Sequence, residues 1–208
     1  MFAAISARKP RGQGAARREE ILAAAKRLFL EKGYEQATMR RIAAEVGVSA
    51  AALYGYFPDK DAILRAIAEA AFSELLARLE ESQRGEAPPL DRFRAGLRAY
   101  IAFGLARPEE YRLVFLWRPP APEHRAGEGG RGGIEDAGRA FAILERSIAA
   151  LMQAGDLAPG DSLVAAEASW ACLHGATALL LDKREHVQTP PGELAEAVVD
   201  LVLRGLAA

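Results

Sequence analysis

Thr38–Lys60 reads TMRRIAAEVGVSAAALYGYFPDK. Thr38 is a good N-cap, and Met39, Ile42, Ala43 and Val46 follow at helical spacing, so the segment opens as a short amphipathic helix. Gly47 stops it, because glycine reaches positive φ without a steric cost. Ser49 then caps a second helix, SAAALYGYF, in which Leu53 and Phe57 share one face and belong to a core. Pro58 ends it or begins the next, and a third helix follows from Asp59. Two short helices across a tight glycine turn form a helix-turn-helix, and the second is of a size to enter a DNA major groove.

Composition bounds the remainder. The chain has 208 residues, half of them hydrophobic, enough to bury one large core or two small ones. Ala, Leu, Glu and Arg dominate and alternating β-branched runs are missing, so an all-α fold of about nine helices is expected. No apolar run is expected to reach the ~18 residues of a membrane span. The N-terminus lacks the pattern of a signal peptide, and the single Cys172 excludes an internal disulfide. These features agree with a cytoplasmic protein that has no membrane partner. Net charge is only −1, but residues 1–65 hold 12 Lys/Arg against 7 Asp/Glu, and residues 66–208 hold 15 against 21. A basic front and an acidic back describe a two-part molecule in which only the front suits a polyanion.

Residues 1–16 read as a basic flexible tail carrying Arg8, Lys9 and Arg11. A first helix from about Arg17 to Lys32 carries the stripe Ile21, Leu22, Ala25, Leu28 and Phe29, and Gly33 ends it. Tyr34 is expected to pack in the linker that follows. The stretch RREEILAAAKRLFLEKGYEQATMRRIAAEVGVSAAALYGYFPDKDAIL, Arg17–Leu64, resembles the N-terminal domain of TetR-family transcriptional regulators. Carrying the likeness are Ile21-Leu22, Leu28-Phe29, Gly33-Tyr34, Thr38, Ile42-Ala43, Gly47-Val48-Ser49, Leu53-Tyr54, Tyr56-Phe57 and Lys60, all in register.

The resemblance implies roles that sit beside ordinary readings of the same residues. Arg17 and Thr38 would face backbone phosphate, and Tyr54, Tyr56 and Lys60 would make phosphate contacts that fix register without reading sequence. As plain side chains, the two tyrosines are packing aromatics. Arg40 and Arg41 lie off the apolar stripe and suit a solvated face. Arg40 aligns with a position that contacts DNA in such regulators, and an arginine fork can hold guanine O6 and N7. Ser49 and the alanines Ala50, Ala51 and Ala52 would meet the groove, where methyl groups pack on thymine methyls. Gly55 leaves its position silent, so specificity is expected to rest on Arg40, the tail and DNA shape more than on this helix alone.

The N-terminal domain is placed at residues 17–65 and a ligand-binding and dimerisation domain at 66–208. A fourth helix, about Pro58–Gln83, joins them and ends at GEAPP, Gly85–Pro89, which reads as the natural domain boundary. A fifth spans about Leu90–Ala106. A sixth runs from Pro108 through Tyr111, Val114 and Phe115 to Trp117, followed by a Pro/Gly-rich loop over 118–133 expected to be mobile. The seventh, eighth and ninth are expected near Ile134–Ala154, Pro159–Asp182 and Pro191–Leu206. EYRLVF (Glu110–Phe115) with Trp170, His174 and Gly175 resembles the subgroup of these regulators named for a Trp-His-Gly signature.

From the family follow a double-stranded DNA operator, a homodimer, and a small-molecule effector held among the C-terminal helices. Candidate effector residues are Phe103, Tyr111, Phe115, Trp117, Phe141, Trp170, His174 and Thr177, a set suited to a hydrophobic ligand; all of them also make sense as core. Helices eight and nine would pair with their copies through Leu173, Leu180, Leu194, Val198, Leu201 and Val202. No cofactor is expected and no metal, since no His/Cys pair has ligand spacing. There is no phosphate loop or nucleophile motif, so no enzyme is expected. The rival reading is a helical ligand-binding or interaction dimer without sequence-specific DNA binding.

Overall fold

The computed structural model describes residues 14–116 and 134–207. Nine α-helices and no strands occur among them: α1 (Gly14–Lys32), α2 (Met39–Val46), α3 (Ala50–Tyr54), α4 (Lys60–Ser82), α5 (Pro89–Ala106), α6 (Pro108–Tyr111), α7 (Glu135–Ala154), α8 (Ser162–Asp182) and α9 (Pro191–Leu206). The described residues form two compact units. The chain passes from the first to the second between Glu69 and Ala70, within α4, and Arg112–Leu116 returns to the first. The GEAPP turn therefore lies inside the second unit. The tail up to residue 13, the 118–133 loop and Trp117 fall outside the described residues, and Gly14–Ala16, expected as tail, are already helical in α1.

The first unit is organised by the caps read in Thr38–Lys60. The Arg41 N–H donates to Thr38 Oγ1 at 3.3 Å, and the Ala52 N–H donates to Ser49 Oγ at 3.1 Å. Gly47 takes φ 72°, and its N–H reaches back to the α2 carbonyls. Regular α3 is shorter than the expected SAAALYGYF. Gly55 stays right-handed (φ −70°), and both Tyr56 and Phe57 donate to the Leu53 carbonyl, so the segment closes in a tight turn. Ile21, Ile42, Leu53 and Ile63 are fully buried in one apolar cluster, with Phe57 beside them. Asp59 caps α4 through the Ala62 N–H at 2.7 Å.

The sixth helix departs from expectation. It ends at Tyr111 and widens into a π-helical turn over Arg112–Leu116. The extra residue in that turn re-aims the side chains after Tyr111. Leu113 joins the core of the first unit, whereas Tyr111 is buried in the second.

In the second unit α8 packs on α5, α7 and α9. Arg94 and Arg98 on α5 pair with Asp200 and Glu196 on α9. One sequence expectation is corrected by α8: its 21 residues are long and apolar enough to cross a membrane by length and composition. It instead turns Ala166, Ser169, Leu173, Ala176, Thr177 and Leu180 into the core.

Candidate nucleic-acid interface and effector site

The helix-turn-helix turns a defined surface outward. Because Leu53 and Phe57 are held in the core, Ala51, Ala52, Gly55, Tyr54 (53% exposed) and Tyr56 (40% exposed) must face away from it, with Ala50 half-buried at the edge. Ser49 is exposed but spends its hydroxyl oxygen on the cap. Thr38 is exposed and acts in the same way.

The cations separate into engaged and outward groups. Arg17 donates to the Val46 carbonyl at 3.4 Å and pairs with Glu20 at 2.7 Å, so it ties α1 to the end of α2. Arg41 donates to the Gln36 carbonyl at 2.9 Å. Arg40 is exposed, with no hydrogen-bond or ion-pair partner among the described residues. Lys60 is half-buried: its ammonium donates to the Tyr34 carbonyl at 3.0 Å and sits 3.8 Å from the centre of the Tyr34 ring. Tyr34 packs on Phe29 and is buried, as its linker position led one to expect.

The second unit brings four aromatic residues into one hydrogen-bonded chain. Trp170 Nε1 donates to Tyr100 Oη at 3.0 Å, Tyr100 Oη lies 3.1 Å from Tyr111 Oη, and Tyr111 Oη lies 2.7 Å from His174 Nδ1. An indole N–H can only donate. The ordering this favours runs Trp170 to Tyr100 to Tyr111 to His174, with the imidazole proton on Nε2. Burial, and then the neighbouring Tyr100, push the Tyr111 hydroxyl far above the usual tyrosine range, so it keeps its proton. Phe141 meets Trp170 edge-on at 6.4 Å, and Phe103 and Thr177 are fully buried. Thr177 Oγ1 donates to the Leu173 carbonyl at 2.8 Å.

Of the predicted effector residues, Tyr111, Trp170 and His174 are thus brought together with Phe141, whereas Phe115 belongs to the first unit. Tyr100 was missed by the sequence reading. Its signal was available: a hydroxyl on the Phe93–Leu97–Ile101 stripe must find a partner once buried.

The predicted dimer residues also divide. Leu173, Leu180 and Val202 are buried in the chain's own core, Leu194 and Val198 are half-buried, and Leu201 is 57% exposed. The apolar residues that do face outward on α8 are Leu163, Val164 and Leu179, with the small residues Ala168, Ala171 and Cys172 between them.

A capped helix-turn-helix with an outward arginine and tyrosines, carried by a chain whose other unit is a helical bundle, defines a helix-turn-helix DNA-binding regulator. Comparison with known proteins gives the family. The sequence profile of bacterial regulatory proteins of the tetR family matches residues 21–67, and that of the tetracyclin repressor-like C-terminal domain matches residues 93–202. The chain belongs to the TetR family.

Among solved structures, a protein of unknown function from Rhodococcus sp. RHA1 is 30% identical with a TM-score of 0.75, covering 97% of this chain and all of that one. A bacterial regulatory protein in the tetR family from Rhodococcus RHA1 is 27% identical, also with a TM-score of 0.75, covering 92% of this chain and 97% of that one. The nucleoid occlusion factor SlmA of Haemophilus influenzae (strain PittGG) is 39% identical over 87 residues, 42% of this chain and 40% of that protein. The chain thus spans less than half the length of that curated relative.

Proposed function

We propose that the protein is a homodimeric, cytoplasmic transcriptional repressor released from a near-palindromic operator by a small hydrophobic effector. The observation that carries DNA binding is the outward face of α3, bare of long side chains between exposed Tyr54 and Tyr56 while Leu53 and Phe57 are locked inside. Such a helix sits deep in a major groove, and the two copies in a dimer would lie roughly 34–36 Å apart. Tyr54, Tyr56 and Lys60 position the unit on phosphates, and Arg40 reads a base. Occupying promoter DNA is enough to repress, with no further activity required. The first unit, through Glu69, serves as the DNA-binding domain, and the second, from Ala70, as the effector and dimer domain.

The effector is placed beside the Trp170–Tyr100–Tyr111–His174 chain, among Phe103, Phe141 and Thr177. Membership of Trp170 and His174 in one bonded chain with Tyr111 supports the Trp-His-Gly subgroup reading. Tyr111 is anchored in that chain, and Leu113, two residues on, is anchored in the helix-turn-helix core. Chain continuity there, and α4 running through both units, give an effector two ways to bias the DNA-binding unit. It does so only through unequal affinity for the two states.

Selecting bound sequences from a pool of random duplexes, with and without hydrophobic compounds, tests the proposal. A palindromic consensus lost on adding a compound is the expected result; no enrichment of any sequence favours the rival interaction-dimer reading. Arg40→Ala is expected to weaken binding to the selected operator by about 1–3 kcal/mol and random DNA by less. Equal losses on both, measured by fluorescence anisotropy, demote Arg40 to a phosphate contact.

A further inference from the structure

Lys60 stands at the first position of α4, where the positive end of the helix dipole disfavours a cation. Three things hold its ammonium there. The Tyr34 carbonyl accepts one N–H at 3.0 Å, the Tyr34 ring takes the charge on its face at 3.8 Å, and the Glu35 carboxylate lies 3.7 Å away. The last distance is an ion pair too long for a hydrogen bond. Glu35 itself is 72% exposed, while Lys60 is 26% exposed. The ammonium is thus fixed in place by the residue before Glu35, with two further N–H groups left for a carboxylate or another anion.

We infer that Glu35 is a built-in competitor for the DNA phosphate at Lys60, and that it lowers the protein's affinity for every duplex. A carboxylate and a phosphate offer the same chemistry to an ammonium and repel each other, so Glu35 must turn aside for a phosphate to bind. The exchange costs little because Glu35 is solvated and free to swing away. Its effect falls on every duplex alike, since a phosphate carries no sequence information. Operator and background binding are therefore lowered by the same factor, and the ratio between them is left unchanged. The inference rests on the proposed phosphate role of Lys60.

The test is a double-mutant cycle of wild type, Glu35→Gln, Lys60→Met and the double variant, binding a fluorescent random-sequence duplex over a range of salt. Glu35→Gln is expected to tighten binding by about 2–5-fold at low salt, the range of an exposed ion pair, and less as salt rises. Lys60→Met is expected to weaken binding and reduce the slope of log K against log salt by about 1. In the Lys60→Met background the gain from Glu35→Gln should vanish. The same gain in both backgrounds would make it a general charge effect and overturn the inference, as would no gain at all beside a weakened Lys60→Met. A Lys60→Met protein with unchanged affinity and slope overturns the phosphate role itself, a separate outcome. Circular dichroism checks each fold, and Lys60→Gln replaces Lys60→Met in the cycle if the latter does not fold.

Discussion

Leu201→Glu is expected to yield a folded monomer that binds an operator of two half-sites about 10²–10⁴-fold more weakly than the wild type, the loss that follows when two linked binding events become independent. The side chain is 57% exposed, and Val199, Val202 and Leu203 are the buried residues that hold α9 to the unit. The substitution therefore leaves the core alone. What it changes is the outward side of α9, where a carboxylate buried against a second copy would have no partner. Sedimentation velocity reads the mass and anisotropy reads the affinity. A dimer that survives Leu201→Glu moves the pairing surface off this face, and a monomer that still binds the operator at full strength removes the two-fold reading.

The second large effect is on stability, and its sign is what matters. Gly104 lies in the last turns of α5, where alanine is favoured over glycine by about 1 kcal/mol on helix propensity alone. A Cβ at that position would stand 2.3 Å from Thr177 Cγ2 and 3.0 Å from the Tyr111 ring. Both neighbours are fully buried, and Thr177 is held by its bond to the Leu173 carbonyl, so neither has room to retreat. Crowding of this kind costs about 1–3 kcal/mol and sometimes more. Gly104→Ala is therefore expected to lower the melting temperature by several degrees, at about 2–4 °C per kcal/mol for a chain of this size. It is also expected to disturb the Tyr111–His174 bond that the effector reading depends on. Gly138→Ala on α7, where a Cβ meets nothing within 4 Å, is the control and should be neutral or stabilising. If Gly104→Ala behaves like the control, α5 and α8 are less closely fitted than their geometry indicates.

Sequence by itself determined the helix-turn-helix almost residue by residue. Thr38, Gly47 and Ser49 act through hydrogen bonds and a positive φ within four residues of themselves, so no distant neighbour is needed to place them. The same holds for α9, which runs over Pro191–Leu206 as its proline start and leucine–valine stripe indicate. Tertiary structure alone decided which way α8 faces. That helix is apolar on nearly every side, so its periodicity carries no direction, and only packing against α5, α7 and α9 turns Leu173 and Leu180 inward and Val164 and Leu179 outward. It also decided that the chain widens into a π turn after Tyr111 and that the Tyr100 hydroxyl completes a bonded chain with Trp170 and Tyr111. Those choices join residues up to 70 positions apart, and no local signal specifies a partner at that distance.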